Sequence, residues 1–226
     1  MARTLLIGAF VILGAAAGCG KDQSKADSTA KSALPATPGG SALNQTVKGA
    51  TSAQDFQGTW DSGCDASGFA DGGSQRVVYH VSGSDVFSTV QLFRDANCDV
   101  AEVMTKSTGK ITFGAPRKDL IGAQEVDIKR TAVQATVSAA STIQSMQADL
   151  AEVPDVKCRA VLAALKVDVP VDFLACAPSL QEYTIWKIED ERLRLGDCES
   201  GPDLCKAPTA RATELRLGGS FSRSDK

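Results

Sequence analysis

The sequence predicts an all-β fold: a single antiparallel barrel of about eight strands. Between Gln75 and Gly114, short runs of alternating apolar and polar residues are separated by turns built from Gly, Asp, Ser and Asn. Strands and turns that repeat roughly every 8–12 residues are typical of barrels and sandwiches. The pattern returns at Tyr183, and residues 141–180 interrupt it with helical spacing. A hydrophobic content of 43%, with 5% aromatic residues, is enough for one modest core.

The predicted domain spans residues 55–224, and its strands follow from the positions of the apolar residues. Val77, Tyr79 and Val81, for example, share one face of a strand whose other face is polar. A slip in the alternation near Lys129–Thr131 predicts a β-bulge. The predicted strands are 56–64, 75–82, 86–94, 98–105, 110–114, 125–138, 183–188, 191–196 and 211–223, with a turn at 106–109 and with Leu215, Leu217 and Phe221 facing inward on the last strand.

Residues 141–180 form a predicted insertion of one or two short helices. Ser141 is a predicted helix start, with Gln144 three positions on as in a capping box. Val156–Lys166 carries apolar residues at helical spacing, and Val167–Leu180 holds two prolines and is a predicted loop. The insertion is either a functional lid or a structural cover over an open barrel end. The pattern favours the cover.

Seven cysteines divide into one plus six. Cys19 directly follows an apolar run and is set apart from the rest. The other six cysteines are an even number, which favours three disulfides in an exported chain. A metal site is the alternative, but the chain has no Cys-x-x-Cys and its one histidine is His80. Six cysteines allow fifteen connectivities, and the sequence cannot choose among them. Short loops favour Cys198–Cys205 and Cys158–Cys176, which leaves Cys64–Cys98.

Residues 1–18 have the order of a secretory signal peptide. Arg3 and the amino terminus are positive, Leu5–Ala17 is apolar, and small residues lead into Cys19. The apolar run is too short for a good membrane-spanning helix. Residues 19–54 are rich in small and polar residues and cannot bury enough surface to fold, so they form a predicted flexible tether.

Ala16-Ala17-Gly18-Cys19 resembles the lipobox of bacterial lipoproteins. The resemblance implies that the Cys19 thiol carries two acyl chains such as palmitate, that cleavage precedes Cys19, and that its new amine is acylated. A plain signal peptide followed by an unrelated cysteine is the alternative. Gly20 rather than Asp follows Cys19, which by resemblance is compatible with the outer membrane of a diderm bacterium.

Gly58-Thr59-Trp60 resembles the Gly-x-Trp motif of lipocalin-like barrels, and Leu193–Gly196 with the residues from Arg211 to Arg223 is similar to the closing hairpin of lipocalin-like bacterial lipoproteins. The resemblance implies that Trp60 packs at the closed barrel base against an arginine of the last strand. Arg211 is the expected partner and Arg223 the second choice. An arginine over an indole face is favourable by about 1 kcal/mol. The alternative role of Trp60 is that of an ordinary core tryptophan.

The residue types needed for catalysis are scarce. A serine or cysteine nucleophile usually needs a histidine base, and His80 is the one candidate, on the strand face opposite Tyr79. Asp95, Asn97 and Asp99 imitate a calcium loop that lacks its glycine and its final glutamate. We therefore expect no enzyme activity, no metal and no cofactor.

The formal net charge of −3, without a basic block, argues against nucleic acid and against electrostatic binding to anionic lipid. Membrane attachment would then depend on the acyl chains of Cys19, since two or more chains anchor stably. Two functions remain. The first is a binding module that holds a small apolar ligand or lipid in the barrel. The second is a structural or protein-interaction lipoprotein with a filled barrel and a partner that the sequence does not name.

Overall fold

The chain folds into nine β-strands and two short α-helices in a computed structural model that describes residues 52–67, 69–177, 179–198, 203–216 and 219–224. The signal peptide at 1–18, Cys19, Leu217 and the tether up to residue 51 lie outside these described residues. No helix within the described ranges is both long and apolar enough to cross a bilayer. The strands are β1 (Gly58–Asp61), β2 (Ser74–Ser82), β3 (Asp85–Phe93), β4 (Ala101–Pro116), β5 (Ala123–Val137), β6 (Val171–Asp172), β7 (Gln181–Glu189), β8 (Arg192–Leu195) and β9 (Phe221–Arg223).

Eight of these strands close into one antiparallel barrel in the order β4-β3-β2-β1-β9-β8-β7-β5, because β5 also pairs with β4. The remaining strand, β6, lies outside the closed ring and pairs with β5 through Gln134 and Ala135. The structure therefore confirms the predicted fold class. Closure removes the exposed sheet edges that would otherwise pair with other chains.

The predicted turn at 106–109 is wrong, because β4 is one continuous strand of 16 residues. Its inward positions alternate without a break through Val103, Thr105, Ser107, Gly109 and Ile111, all of which are buried. The small and polar residues in the middle imitate a turn in sequence. In the barrel they occupy the inner face, where space is short.

The predicted bulge near Lys129–Thr131 is confirmed. Thr108 pairs with Ala132, whereas Gly109 pairs with Arg130, so Thr131 is the extra residue of β5. Gly109 allows this close approach, since a Cβ atom built on it would lie 2.4 Å from the Lys129 carbonyl oxygen. The bulge restores the alternation, and both halves of β5 direct apolar residues inward.

The insertion contains α1 (Ala140–Ala148) and α2 (Val156–Ala163). The predicted capping box is wrong, because Ala139 precedes α1 and makes no side-chain cap, whereas Asp155 caps α2 by accepting from the Cys158 amide at 2.8 Å. Both helices cover the barrel end where β5 finishes. The apolar residues shared between helices and barrel are Val103, Val133, Ala135, Val137, Ile143, Met146, Leu162, Leu165 and Phe173.

All three disulfides favoured by loop length are present: Cys64–Cys98, Cys158–Cys176 and Cys198–Cys205. The first joins the loop after β1 to the turn after β3. The second ties α2 to the segment that follows β6, which holds the helical cover on the barrel. The third closes an outer loop between β8 and β9, and each cross-link limits the entropy of the unfolded chain.

The two ends of the predicted domain differ from expectation. Phe56 lies in a 3-10 turn, Ala53–Phe56, and the strand begins only at Gly58, whose φ of 109° favours glycine. Among the described residues of the predicted strand 211–223, strand pairing is found at β9 and at a single bridge at Leu215. Leu215 packs on the outer side of the barrel, against Ile185 and Ala212, and not inward. Phe221 does face the interior.

Gly109→Ala tests the close approach of β4 and β5. We expect it to lower the free energy of unfolding by about 1–3 kcal/mol, because the new methyl group meets backbone atoms that cannot move independently. Gly114→Ala on the same strand is the matched control, since its nearest contact is the Glu125 side chain at 3.1 Å. Denaturant unfolding of both variants measures the difference. Equal midpoints would contradict the proposed contact.

Candidate functional site

The barrel interior is divided into three layers, and the first is an aromatic base. Phe56 and Trp60 are buried there, and the Trp60 indole N–H donates to the Phe56 carbonyl oxygen at 2.9 Å. Phe56 stacks on Phe113 with 5.1 Å between ring centroids and meets Trp186 edge-on. Such aromatic pairs add to the burial of their large apolar surfaces. This end of the barrel is filled by its own side chains.

Arg223 is the cation over the Trp60 ring, with its guanidinium carbon 4.7 Å from the ring centroid. Its Nη2 also donates to the carbonyl oxygens of Asp55 and Gln57, both at 2.8 Å. The expectation that Arg211 is this partner is therefore wrong, and the second choice is the one observed. The reason is register, since Trp60 and Arg223 are directly opposite each other on β1 and β9.

Arg211 instead fastens the outer loop 203–212 to the barrel wall. Its Nη1 donates to the carbonyl oxygens of Val126 and Thr184 at 3.0 and 3.1 Å, and its Nη2 lies 2.7 Å from an Asp127 carboxylate oxygen. The Tyr183 ring also lies under the guanidinium. A mostly buried arginine with several oxygen acceptors is well satisfied, so Arg211 is a structural residue on the outside of the barrel.

The second layer lies at the opposite end, under the helices. There Val133, Ala135 and Val137 of β5 contact Phe173 and the apolar faces of α1 and α2. Phe173 is 1% exposed, so the helical cover seals this end rather than standing open over it. The helices pack on this end of the barrel, and the choice between a structural cover and a functional lid stays a prediction.

The third layer, which we call the central layer, lies between the two apolar ends and is polar. Its inward-facing residues sit opposite one another across the strands: Tyr79 with Ser88, Ser88 with Ser107, and Ile128 with Glu182. The hydroxyl oxygens of Ser88 and Ser107 lie 2.7 Å apart. Polar side chains are also buried elsewhere in the described chain, including Thr105 on β4 and Thr142 on α1. The central layer comprises Tyr79, Ser88, Ser107, Arg130, Glu182 and Arg216.

An ion pair crosses the central layer. The Arg130 Nη2 atom donates to a Glu182 carboxylate oxygen at 2.8 Å, and the two side chains are only 8% and 17% exposed. Burial alone would lower the pKa of Arg130. The electrostatic effects of Glu182 and Tyr79 outweigh this desolvation, so the pKa of Arg130 is raised. Arg130 therefore stays charged inside the barrel.

Tyr79 lies at the boundary between the aromatic base and the central layer. Its ring meets Trp186 and Phe221 edge-on, each with 5.6 Å between centroids. The Tyr79 side chain as a whole is partly exposed, but desolvation of its hydroxyl raises the pKa of that group to about 12, and the nearby charge of Glu182 acts in the same direction. Tyr79 is therefore a neutral hydrogen-bonding group at physiological pH.

Arg216 faces the central layer although no strand contains it. Its amide donates to the Leu195 carbonyl oxygen at 2.9 Å, and Gly196 bridges to Leu215, so Leu195 and Arg216 lie on the same face of this ladder. Leu195 packs in the barrel interior. The positive charge of Arg216 is close enough to act on the pKa of Tyr79.

Several inward-facing side chains of the central layer are reached by solvent. Val77, Tyr79, Ser88, Val90 and Glu182 are all intermediate in exposure, and so are Phe113 at the base and Leu92 at the helical end. The wall explains this access. In the described chain β9 joins β8 through Arg192–Ser222 and Leu193–Phe221, and joins β1 through Trp60–Arg223 and Asp61–Ser222. These pairs close the base, and no described pairing joins residues 62–65 to the segment 203–216 above it.

The other sequence candidates lie apart from the interior. His80 is exposed on the outer wall, where its Nδ1 atom lies 2.9 Å from the Thr59 hydroxyl. Asp95 accepts the amide protons of Asn97, Asp99 and Val100, which closes the turn after β3. These contacts explain both positions as parts of the scaffold.

Sequence reasoning missed the charged residues of the central layer. The alternation of Val126 and Ile128 continues to Arg130, which places that residue inward before the bulge. Glu182 was missed because the strand was expected to begin at Tyr183, two residues after its observed start at Gln181. Arg216 was missed because Leu215 was expected to face inward.

No protein-family model matches this chain, and no curated protein matches it either. The class of protein is therefore defined by its fold alone: a closed, eight-stranded antiparallel barrel with one strand outside the ring and two short helices.

A double-mutant cycle tests which arginine partners Trp60. We expect Trp60→Leu and Arg223→Gln to show a coupling energy of about 1 kcal/mol in denaturant unfolding, because the double variant cannot lose the same contact twice. Trp60→Leu and Arg211→Gln are the matched control pair and should be additive. Coupling to Arg211 and none to Arg223 would contradict the observed register.

The Tyr79 hydroxyl gives a pH test. Because its pKa is higher in the folded state than in the unfolded chain, the stability linked to it is present below pH 10 and is lost as pH rises towards 12. The loss is at most about 3 kcal/mol. The absorbance of tyrosinate, titrated in the wild type and in Tyr79→Phe, isolates this group from Tyr183. A difference titration with a midpoint near 10 would contradict the raised pKa of Tyr79.

Proposed function

We propose that this protein is a lipid-anchored binding module of a bacterial cell envelope. The sequence of residues 1–19 supports export and acylation at Cys19, and residues 20–51 would hold the barrel clear of the membrane surface. The outer membrane of a diderm bacterium is the proposed location. The Gly-x-Trp resemblance supports a lipocalin-like binder, and the arginine over Trp60 fits what that resemblance implies.

The proposed ligand is a small apolar molecule or lipid held in the central layer. One observation carries this proposal: inward-facing Val77, Tyr79, Ser88 and Val90 are partly exposed, although both ends of the barrel contain clusters of buried apolar residues. The proposal requires a space in the central layer, between the two packed ends and reached from the side, as barrel binders have. The role is non-catalytic, since His80 lies on the outer wall, away from the interior hydroxyls.

A structural or protein-interaction role is the second candidate. It is favoured by the aromatic base and by the helical cover, which fill both ends of the barrel with its own side chains. Exposed apolar side chains near the cover, including Val156 and Val169, could then contact a partner. This role requires that the central layer hold only water.

Native mass spectrometry separates the two roles. The chain from residue 19 onward, with Cys19→Ala and a periplasmic export leader, would be purified without added lipid. We expect a fraction with extra mass that disappears after organic extraction, because a barrel binder carries cargo from its host. The intact mass should also be six protons below that of the reduced chain, as three disulfides require.

A pair of variants on one strand controls for surface binding. Ser88→Leu fills the central layer and should abolish the extra mass, whereas Thr89→Leu on the outward face of β3 should retain it. Absence of cargo in the wild type, even after incubation with envelope lipids, would reject the binding role and favour the interaction role.

A further inference from the structure

Helix α2 has apolar side chains on both sides of its axis. Cys158 and Leu162 are buried on its inner side, against the end of the barrel. The exposed apolar residues on its outer side and at its C-terminal cap are Val156, Ala160, Ala163 and Ala164, which we call the α2 face. A helix that packs on one side normally presents polar residues to water, whereas a helix that is apolar all round is normally buried. This pattern indicates that a partner covers the α2 face.

The α2 face contains no charged residue. Its members follow the helical spacing i, i+4, i+7 and i+8, which places them along one line of the helix surface. Lys157 and Arg159 project on opposite flanks of that line, since successive residues are about 100° apart around the axis. Val156 is 68% exposed, and Val167 and Val169 beyond the helix are 42% and 44% exposed. Exposed apolar side chains with charged residues at their margin are typical of a protein contact site.

We propose that the α2 face is the contact with a second copy of this chain, in which two α2 helices pack antiparallel about a two-fold axis at Ala160. Such a contact is self-complementary, because each copy contributes the same surface. Val156 of one copy then meets Ala164 of the other, and the two Ala160 side chains meet on the axis. The small side chain at the crossing point allows the helices to approach closely.

The charges at the two ends of α2 favour a second copy as the partner. Asp155 precedes the helix and Lys166 follows it, and both are exposed. An antiparallel pair places Asp155 of each copy near Lys166 of the other, so two opposite-charge contacts flank the apolar centre. Complementary charges of this kind fix the orientation and register of an interface. The contact holds whether or not the central layer binds a ligand.

The contact is small, so we expect a weak and reversible dimer. Eight residues of helix span about 12 Å. Two such helices bury less than the roughly 800 Å2 per partner of a standard stable interface. For the Cys19→Ala chain from residue 19 onward, we expect a dissociation constant of about 0.1 mM. Sedimentation velocity at concentrations on either side of that value measures it. A monomer at every concentration would overturn the proposal.

An added charge locates the interface. Ala160→Glu brings two carboxylates together on the axis and should weaken the dimer by about tenfold or more, since like charges in an interface repel. Ala140→Glu is the matched control, because Ala140 is an exposed alanine at the start of α1. It should dimerise as the wild type does. Circular dichroism and the mass of the three disulfides would confirm folding. A dimer that Ala160→Glu does not weaken would overturn the role of the α2 face.

A cross-link tests the antiparallel register. Ala160→Cys places one thiol of each copy on the axis, where a short bis-maleimide reagent can alkylate both. We expect it to form covalent dimers about tenfold faster than Ala140→Cys at the same concentration, because the dimer holds its two thiols at a high effective concentration. The intact mass of the product measures the yield. Equal rates for the two variants would overturn the proposed packing about Ala160.

Discussion

The ion pair between Arg130 and Glu182 decides the character of the barrel interior. Moving two charges out of water is expensive, and their mutual attraction offsets the cost only if hydrogen bonds and polar neighbours complete the environment. Arg130 faces inward because it continues the alternation of Val126 and Ile128, just before the bulge. Tyr79, Ser88 and Ser107 lie in the same central layer as this pair. A barrel with apolar ends and a charged middle follows from that one placement.

The unequal lengths of the strands determine where the interior is accessible. β4 and β5 have 16 and 15 residues and form a tall, continuous wall, whereas β1, β8 and β9 have four, four and three. The short strands close only the base, where Arg223 lies over Trp60 and ties β9 to the 3-10 turn before β1. The disulfide at Cys158 and the helices close the other end. We infer from these lengths that access is lateral, beside the segment that carries Arg216.

Much of the fold could be predicted from sequence, because alternation and turn residues report on strands directly. The barrel class, the bulge and the three disulfides followed from patterns of this kind. The turn at 106–109 was wrong because Ser107 and Gly109 serve close packing, which resembles turn chemistry in sequence. The partner of Trp60 and the inward position of Arg216 depend on register between distant segments. Local pattern does not contain that information, since a one-residue slip exchanges the two faces.

The central claim is that solvent and ligands reach the middle of the barrel but neither end. Three neighbouring positions on β3 test it: Val86 faces the buried base, Phe87 faces outward and is 46% exposed, and Ser88 faces the central layer. The measurement is the rate at which a small alkylating reagent modifies a cysteine placed at each position in the native protein. The account predicts that Ser88→Cys reacts at a rate near that of Phe87→Cys, while Val86→Cys is protected. Protection of Ser88→Cys equal to that of Val86→Cys would show a closed, filled barrel and would contradict the account.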